Sequence, residues 1–271
     1  MSEFRLAPGR KTVIGMIHLK PLPGTPFHEE GGFREILDTA VASAVALRDG
    51  GADGCLVQTV DRVYSTEDEC DPARAVAMGL VVDAVTRATG GGADFRVGVQ
   101  IMRNALSASL AVAKVAGGSF IRAGALVGMT LSPHGMVQAD PLRTAEYRRR
   151  IAADGIGVIA EVDSMHFRWF GEPKPTGEVA RAARGMGADA VSLGSPDEEY
   201  TLDAIASVRR CAPGLPVLLA GHTDHANAAR LLAEADGAFV GTCLEQGGWG
   251  GRIDTDRVKA YMDIARSLER P

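Results

Sequence analysis

The stretch RGMGADAVSLGS, residues 184 to 195, runs from a helical pattern through a Gly-Ala-Asp punctuation into a short β-type run, then out into Gly and Ser. AVSL is too short for a helix, and its consecutive apolar positions suit a strand buried on both faces. The glycines before it suit a left-handed helix C-cap. The same order recurs in RDGGADGCLVQT (48–59), VAGGSFIRAG (115–124), AADGIGVIAEVDS (152–164), CAPGLPVLLAGH (211–222) and AEADGAFVGT (233–242). With VIGMIHL (13–19) and RVGVQIMR (96–103) the strand-like runs number eight.

Segments of helical period separate them, among them REILDTAVASAVALRD, PARAVAMGLVVDAVTRA, ALSASLAVAKVA, LRTAEYRRRIAA, TGEVARAARGM, TLDAIASVRRC and HANAARLLAEA. Alternation of strand and helix argues an α/β protein with a parallel sheet, and eight such units in 271 residues argue a closed (β/α)8 TIM barrel, one domain over residues 1–271. The runner-up is an open doubly wound sheet, whose phosphate fingerprint G-x-G-x-x-G is absent after the first strand. Two connections are long, 20–33 and 126–141, and on the carboxyl side of barrel strands such loops enclose substrates.

Hydrophobic residues make up 46% of the chain, enough for a large core, and the formal net charge is −5 with no block of like charges. Nucleic acid, which needs a basic footprint, is a poor partner. Cys55, Cys70, Cys211 and Cys243 form no C-x-x-C pair and read as free thiols of a reducing compartment. The N-terminal stretch lacks the apolar core of an export signal, and no apolar run reaches the ~20 residues of a membrane span. The expectation is a soluble, cytoplasmic protein without membrane insertion.

Within a barrel strand, side chains alternate between the helix-facing layer and the axis, so a polar residue in an apolar run is expected to point inward or toward the mouth. Near the strand ends these are His18, Gln58, Gln100, Arg122, Glu161 with Asp163, Ser192, His222 and Thr242. Barrel interiors also hold satisfied polar residues, but a ring with a member on every strand matches the face where barrel enzymes keep their active sites. His18 is a candidate general acid or base. Glu161 and Asp163, two apart, are expected to share a face, one poised as an acid or both on a divalent cation; the alternative is a salt bridge to Arg122 or Arg103. On this reading Asp163→Asn abolishes turnover. His166 follows the pair as a further catalytic candidate, and with His222, His225 and Asp224 it forms a possible metal set, although no histidine pair has helical zinc spacing. Lys20 begins the loop after the first strand and is the one lysine near a strand end, where a Schiff-base mechanism would need it. Gly221, Gly241 and Thr242 lie where the seventh and eighth strands end, the common place for a barrel's phosphate cradle, or else they form tight turns.

The segment GMIHLKPLPGTP resembles the BtpA family, whose members typically read G-M-I/V-H-L-x-P-L-P-G-S-P near the N-terminus. The likeness continues through VGVQIMRN (97–104), GGSFIRAGALVG (117–128), EYRRRI (146–151), DGAFVGTCLEQGG (236–248) and IDTDRVKAYMDIAR (253–266). It implies a TIM barrel that often associates into homo-oligomers. It also implies either support of photosystem I accumulation, the family's founding role, or a metabolic reaction. Departures fall at strand ends: Gln58-Thr59 for the family's Glu-Asn, Gln100 for its Asn, Gly124 for another Asn, Met165 for its fifth-strand lysine, and AGH for its seventh-strand G-S-G.

The expected function is therefore an enzyme acting on a small anionic or phosphorylated metabolite, such as a sugar phosphate, a nucleotide-like compound or a biosynthetic intermediate. It would be an isomerase, lyase or group-transfer enzyme. Acid-base chemistry falls to His18, Glu161, Asp163 and His166. Lys20, Gln58, Gln100, Arg122, Ser192 and His222 bind substrate, and Gly221, Gly241 and Thr242 bind phosphate. No resident cofactor is expected, and a divalent metal stays open. The alternative is a non-catalytic assembly or stability factor with a broad apolar outer face.

Overall fold

The structure, a computed structural model, describes Leu6 and residues 9–269; part of the N-terminal stretch read for an export signal lies outside the described residues. Each strand-like run forms a strand: β1 (Thr12–Leu19), β2 (Gly54–Thr59), β3 (Arg96–Gln100) and β4 (Phe120–Ala123) lie in the first half. β5 (Met129–Ser132) and β6 (Gly135–Gln138) are an added antiparallel hairpin, and β7 (Gly157–Asp163), β8 (Ala190–Leu193), β9 (Val217–Ala220) and β10 (Gly237–Val240) complete the series. All but β5 and β6 pair in parallel into a closed eight-stranded barrel in the order β1-β10-β9-β8-β7-β4-β3-β2. Eight helices wrap it among the described residues: α1 (Phe33–Asp49), α2 (Pro72–Thr89), α3 (Leu106–Val115), α4 (Pro141–Arg150), α5 (Thr176–Gly185), α6 (Glu198–Cys211), α7 (Ala228–Glu234) and α8 (Thr255–Ser267). Among the described residues no helix is long and apolar enough to cross a membrane.

The Gly-Ala-Asp punctuation has a structural explanation. Asp53, before β2, accepts the Val13 N–H of β1 at 2.8 Å; Asp189, before β8, accepts Val158 N–H of β7 at 2.9 Å; Asp236, before β10, accepts Val217 N–H of β9 at 2.7 Å. Each carboxylate satisfies a backbone donor at the amino end of the neighbouring strand, where the ladder runs out of partners. The expected left-handed glycine appears after α1, α2, α3 and α5, as Gly51, Gly90, Gly117 and Gly187, with φ of +87°, +84°, +76° and +96°. The rule fails at α4, where Ala152 takes φ +52°, and at α7, which ends on extended Ala235. Helix starts follow the D-P signals: Asp71 accepts the Ala73 and Arg74 N–H groups at the head of α2, and Asp140 accepts Arg143 N–H at the head of α4.

Val, Leu and Ala from the outward strand faces pack against the helices in one continuous core. A second, smaller cluster fills the barrel axis, including Ile14, Met16, Leu56, Phe120, Ile159, Leu218 and Phe239. Burying each large side chain of this plug contributes about 1.5–3 kcal/mol. Gly98 makes it possible, since a Cβ there would stand 2.2 Å from the Phe120 ring. The plug closes the barrel's amino end and leaves the carboxyl end for polar groups. The hairpin β5–β6 fills the long 126–141 connection, and its tip is held by His134 Nε2, 2.9 Å from the Arg62 carbonyl oxygen, and by edge contact with Tyr64.

Candidate active site

Directly above the apolar plug, His18, Gln58, Gln100, Arg122, Glu161 and Ser192 form an inward polar layer, each two residues beyond an inward residue of its strand. Period-two alternation puts them there, as the sequence suggests. All six carry a buried side-chain atom without a hydrogen-bond partner among the described residues: His18 Nδ1, Gln58 Oε1, both polar atoms of Gln100, Arg122 Nε, Glu161 Oε2 and Ser192 Oγ. Six neighbouring strands leaving such atoms in one layer mark a place built for polar contacts.

Above this layer opens a cavity of about 890 Å³. His18, Gln58 and Arg122 form part of its floor, and His166, His222, Gly221, Gly241 and Thr242 line its walls, so most of the expected site residues converge. Gln100, Glu161 and Ser192 lie beneath the floor and do not line it. Arg122 donates to Glu161 in a buried ion pair, and its guanidinium carbon stands 4.7 Å from the centroid of the Phe239 ring. Burial pulls the Arg122 guanidinium below its ordinary pKa, and Glu161 opposes that pull. The salt-bridge reading of Glu161 is the one the structure bears out.

Asp163 is placed differently from expectation. The β7–β8 register shifts between Glu161 and Asp163: Glu161 stands opposite Ser192, whereas Asp163 stands opposite Leu193, a residue of the helix-facing core. This bulge turns Asp163 out of the barrel, where its Oδ2 accepts Thr176 Oγ1 at 2.9 Å and Tyr200 Oη at 2.6 Å, with Arg168 at 3.7 Å. It pins α5 and α6 to the strand end. Asp163→Ala is expected to cost about 2 kcal/mol in a thermal or urea melt. With its carboxylate engaged by Thr176 and Tyr200, Asp163 is placed to act on stability, where the sequence reading expects Asp163→Asn to abolish turnover.

Lys20 is also displaced from the expected role. It is 68% exposed on the outside of the barrel and pairs with Glu35 of α1 at 2.8 Å. The Glu35 hydrogen bond raises its pKa, the opposite of what a Schiff-base amine needs. No lysine lines the cavity. The possible metal set disperses as well: His225 donates Nε2–H to the Arg257 carbonyl oxygen at 2.9 Å and packs edge-on to Tyr261. Among the described residues no group of three or more His, Cys, Asp or Glu is placed to hold a metal ion.

The structure adds residues that period-two reading misses. Glu245 is 2% exposed; its Oε2 accepts Gly250 N–H at 2.7 Å and its Oε1 lies 3.5 Å from His18 Nδ1, an ion-pair distance without hydrogen-bond geometry. Trp249 leans on the His18 ring with centroids 5.7 Å apart. Gly241 makes room for the imidazole, since a Cβ there would lie 3.3 Å from His18 Cε1. Gly221 (φ +86°) and His222 (φ +54°) bend the chain sharply after β9, and a 3-10 turn, Thr242–Leu244, follows β10. Arg103 lines the cavity without an ion pair among the described residues, donating to His166 Nδ1 at 3.2 Å and to the His166 carbonyl oxygen at 3.1 Å. Behind it, buried Arg74 of α2 donates to Thr59 Oγ1, to the Met102 carbonyl oxygen and to Asp61, which in turn accepts Leu22 N–H. That network locks the loops after β1, β2 and β3 together. Burial raises the Cys243 thiol to about 11, so this wall residue is no nucleophile at neutral pH.

Burial, the largest influence, and the Arg122, Arg103 and His18 charges push His166 down to about 4, with Glu161 opposing. A histidine depressed in the folded state is stabilised in its neutral form. Its contribution is therefore whole above the unfolded value of about 6.5 and declines as pH falls toward 4, by about 3 kcal/mol in all. Urea melts between those values are expected to show this loss, and His166→Gln to lack it.

Comparison with known proteins agrees with the fold and extends the sequence likeness. The chain is 16% identical to thiamine phosphate pyrophosphorylase from Pyrococcus furiosus, with a TM-score of 0.57 over 96% of this chain and 97% of that one. It is 18% identical to a tryptophan synthase chain from M. tuberculosis, with a TM-score of 0.60 over 98% of each. At such identities the likeness is one of fold. In sequence it is 29% identical to the photosystem I biogenesis protein BtpA of Synechocystis sp., across 97% of this chain and 91% of that protein. The BtpA family profile matches residues 9–267, the whole barrel from before β1 to the end of α8, and the chain belongs to the BtpA family.

Proposed function

We propose that the protein is an enzyme that binds a small anionic metabolite in the carboxyl-face cavity and moves a proton on it, with His18 as the general acid or base. The observation that carries this reading is a half-buried guanidinium, Arg103, that lines the cavity without an ion pair among the described residues, whereas the buried Arg122 is already paired with Glu161. A guanidinium with no ion pair at a cavity wall suits a phosphate or carboxylate, and the one carboxylate that lines the cavity, Asp224, is engaged by the Ala226 and Asn227 N–H groups. Arg103 thus takes the anion-binding part that the sequence suggests for Arg122. The bends at Gly221 and Gly241 add support, since the first N–H groups of a helical turn, here Thr242 and Cys243, have no acceptor within it.

His18 is suited to proton transfer by its surroundings. Glu245 stands beside Nδ1, which leaves Nε2 as the nitrogen to meet a ligand, and Trp249 and Gly241 fix the ring plane. Isomerisation, lysis and group transfer each need such a proton transfer, and the solved structures of similar fold include enzymes by name. The assembly-factor alternative asks for a broad apolar exterior. Val76 and Leu80 of α2 and Val115 of α3 are exposed, but the outer faces of α5, α6 and α8 carry Arg181, Glu199, Asp256 and Lys259.

The test is a thermal-shift screen of phosphorylated and carboxylated metabolites against their neutral analogues. A ligand at ~100 times its Kd is expected to stabilise the protein by about 2.7 kcal/mol, and Arg103→Gln to abolish that gain. Stabilisation by neutral compounds alone, or anion binding untouched by Arg103→Gln, would overturn the proposal.

A further inference from the structure

We infer that His166 serves as a fixed, neutral N–H donor to a carbonyl or enolate oxygen of the substrate, and that Arg103 is the positioning residue that holds it in that form. The inference rests on the cavity being an active site, and it separates the two cavity histidines by role. His18 exchanges protons; His166 keeps its own.

The geometry decides the tautomer. A guanidinium has five N–H groups and no acceptor, so Arg103 Nη1, 3.2 Å from His166 Nδ1, requires a lone pair there. The ring proton therefore resides on Nε2, the nitrogen left for the cavity that His166 lines. Arg103 Nη2 also reaches the carbonyl oxygen of the same residue at 3.1 Å, so one planar group fixes backbone and ring together. The backbone is held from the other side. Ser164 Oγ accepts His166 N–H at 3.1 Å and Phe167 N–H at 3.2 Å, and donates to Glu161 Oε1 at 3.2 Å.

Four charged or titratable groups act on the ring. Arg103 follows β3, Arg122 lies on β4, His18 on β1 and Glu161 on β7. The one carboxylate among them already accepts from Arg122 and Ser164. A second proton on His166 would have to sit on Nδ1, against the Arg103 guanidinium. The low pKa of His166 agrees with this arrangement. A preorganised neutral donor stabilises negative charge developing on oxygen without giving up its proton.

The experiment is 15N NMR of the histidine rings in the full-length protein, with the His166 signals identified by their absence in His166→Gln. The expected result is an Nε2–H ring unchanged between about pH 5 and 8, the range in which an ordinary histidine titrates. In Arg103→Met the tautomer mixes, because nothing then requires a lone pair on Nδ1; Arg103→Lys serves as second variant if the first is poorly folded. With a substrate in hand, His166→Gln, which keeps an N–H donor, should retain turnover within ~10-fold, and His166→Ala should lose ~100-fold or more. An Nδ1–H ring, protonation between about pH 6 and 7, or a tautomer indifferent to Arg103 would overturn the inference. Failure of the metabolite screen would instead count against the enzymatic reading and leave the tautomer result standing.

Discussion

Replacing Arg122 by Met is expected to lower folding stability by about 3–5 kcal/mol, because it strands the Glu161 carboxylate, 0% exposed, in the barrel interior. For a chain of this size that is a fall in melting temperature on the order of 10 °C. Arg122 also covers Phe239, so part of the loss is packing. Met restores much of that contact, which makes the stranded charge the main effect. The double variant Arg122→Met, Glu161→Leu should recover most of the loss, since a buried ion pair and an apolar pair of similar volume are often close in stability. Circular-dichroism melts of the three variants give the coupling directly. A double-variant loss equal to the sum of the single losses would show that the two residues do not depend on each other. The pair thus lies under the cavity floor, where Glu161 is ion-paired with Arg122 and does not line the cavity.

This division shows what the sequence carries and where it stops. Gly punctuation marks most of the barrel strands because the left-handed turn after a helix is local, and at β2, β8 and β10 the Asp before the strand accepts an N–H of the preceding strand. Period-two alternation places His18, Gln58, Gln100, Arg122, Glu161 and Ser192 correctly on the axis, because those strands are regular up to that point. It fails for Asp163 at a bulge, which one strand's sequence does not announce. It fails for Lys20, which lies one residue past β1 and follows α1 instead of the mouth. Arg103, Glu245 and Trp249 come from loops whose course depends on contacts far along the chain, such as Arg74 with the Met102 carbonyl oxygen. The hairpin at 129–138 left a fainter trace. Thr130 and Val137 are buried and Leu131 and Met136 exposed, an alternation too short to stand out beside the eight longer repeats.

Substituting His18 by Gln should reduce turnover by about 10²–10⁴-fold, the usual contribution of a general acid or base, while leaving the melting temperature close to that of the native protein. The side chain is 14% exposed and its contacts are with cavity elements, Glu245, Trp249 and Gly241, so the core does not depend on it. Gln keeps the polar volume under Trp249 and removes only the titratable nitrogen. The readout is exchange of substrate hydrogens with deuterated solvent, which reports proton transfer whether or not a later bond breaks. Glu245→Gln supplies the control for orientation. It leaves the imidazole in place but removes the charge 3.5 Å from Nδ1. Its expected signature is a smaller loss of rate than His18→Gln shows, because the imidazole stays in the cavity. If His18→Gln exchanges as fast as the native protein, the proton is moved by another group, and the cavity's remaining histidine, His222, becomes the residue to vary. Burial lowers the pKa of that imidazole, and backbone at φ +54° fixes it at the cavity wall.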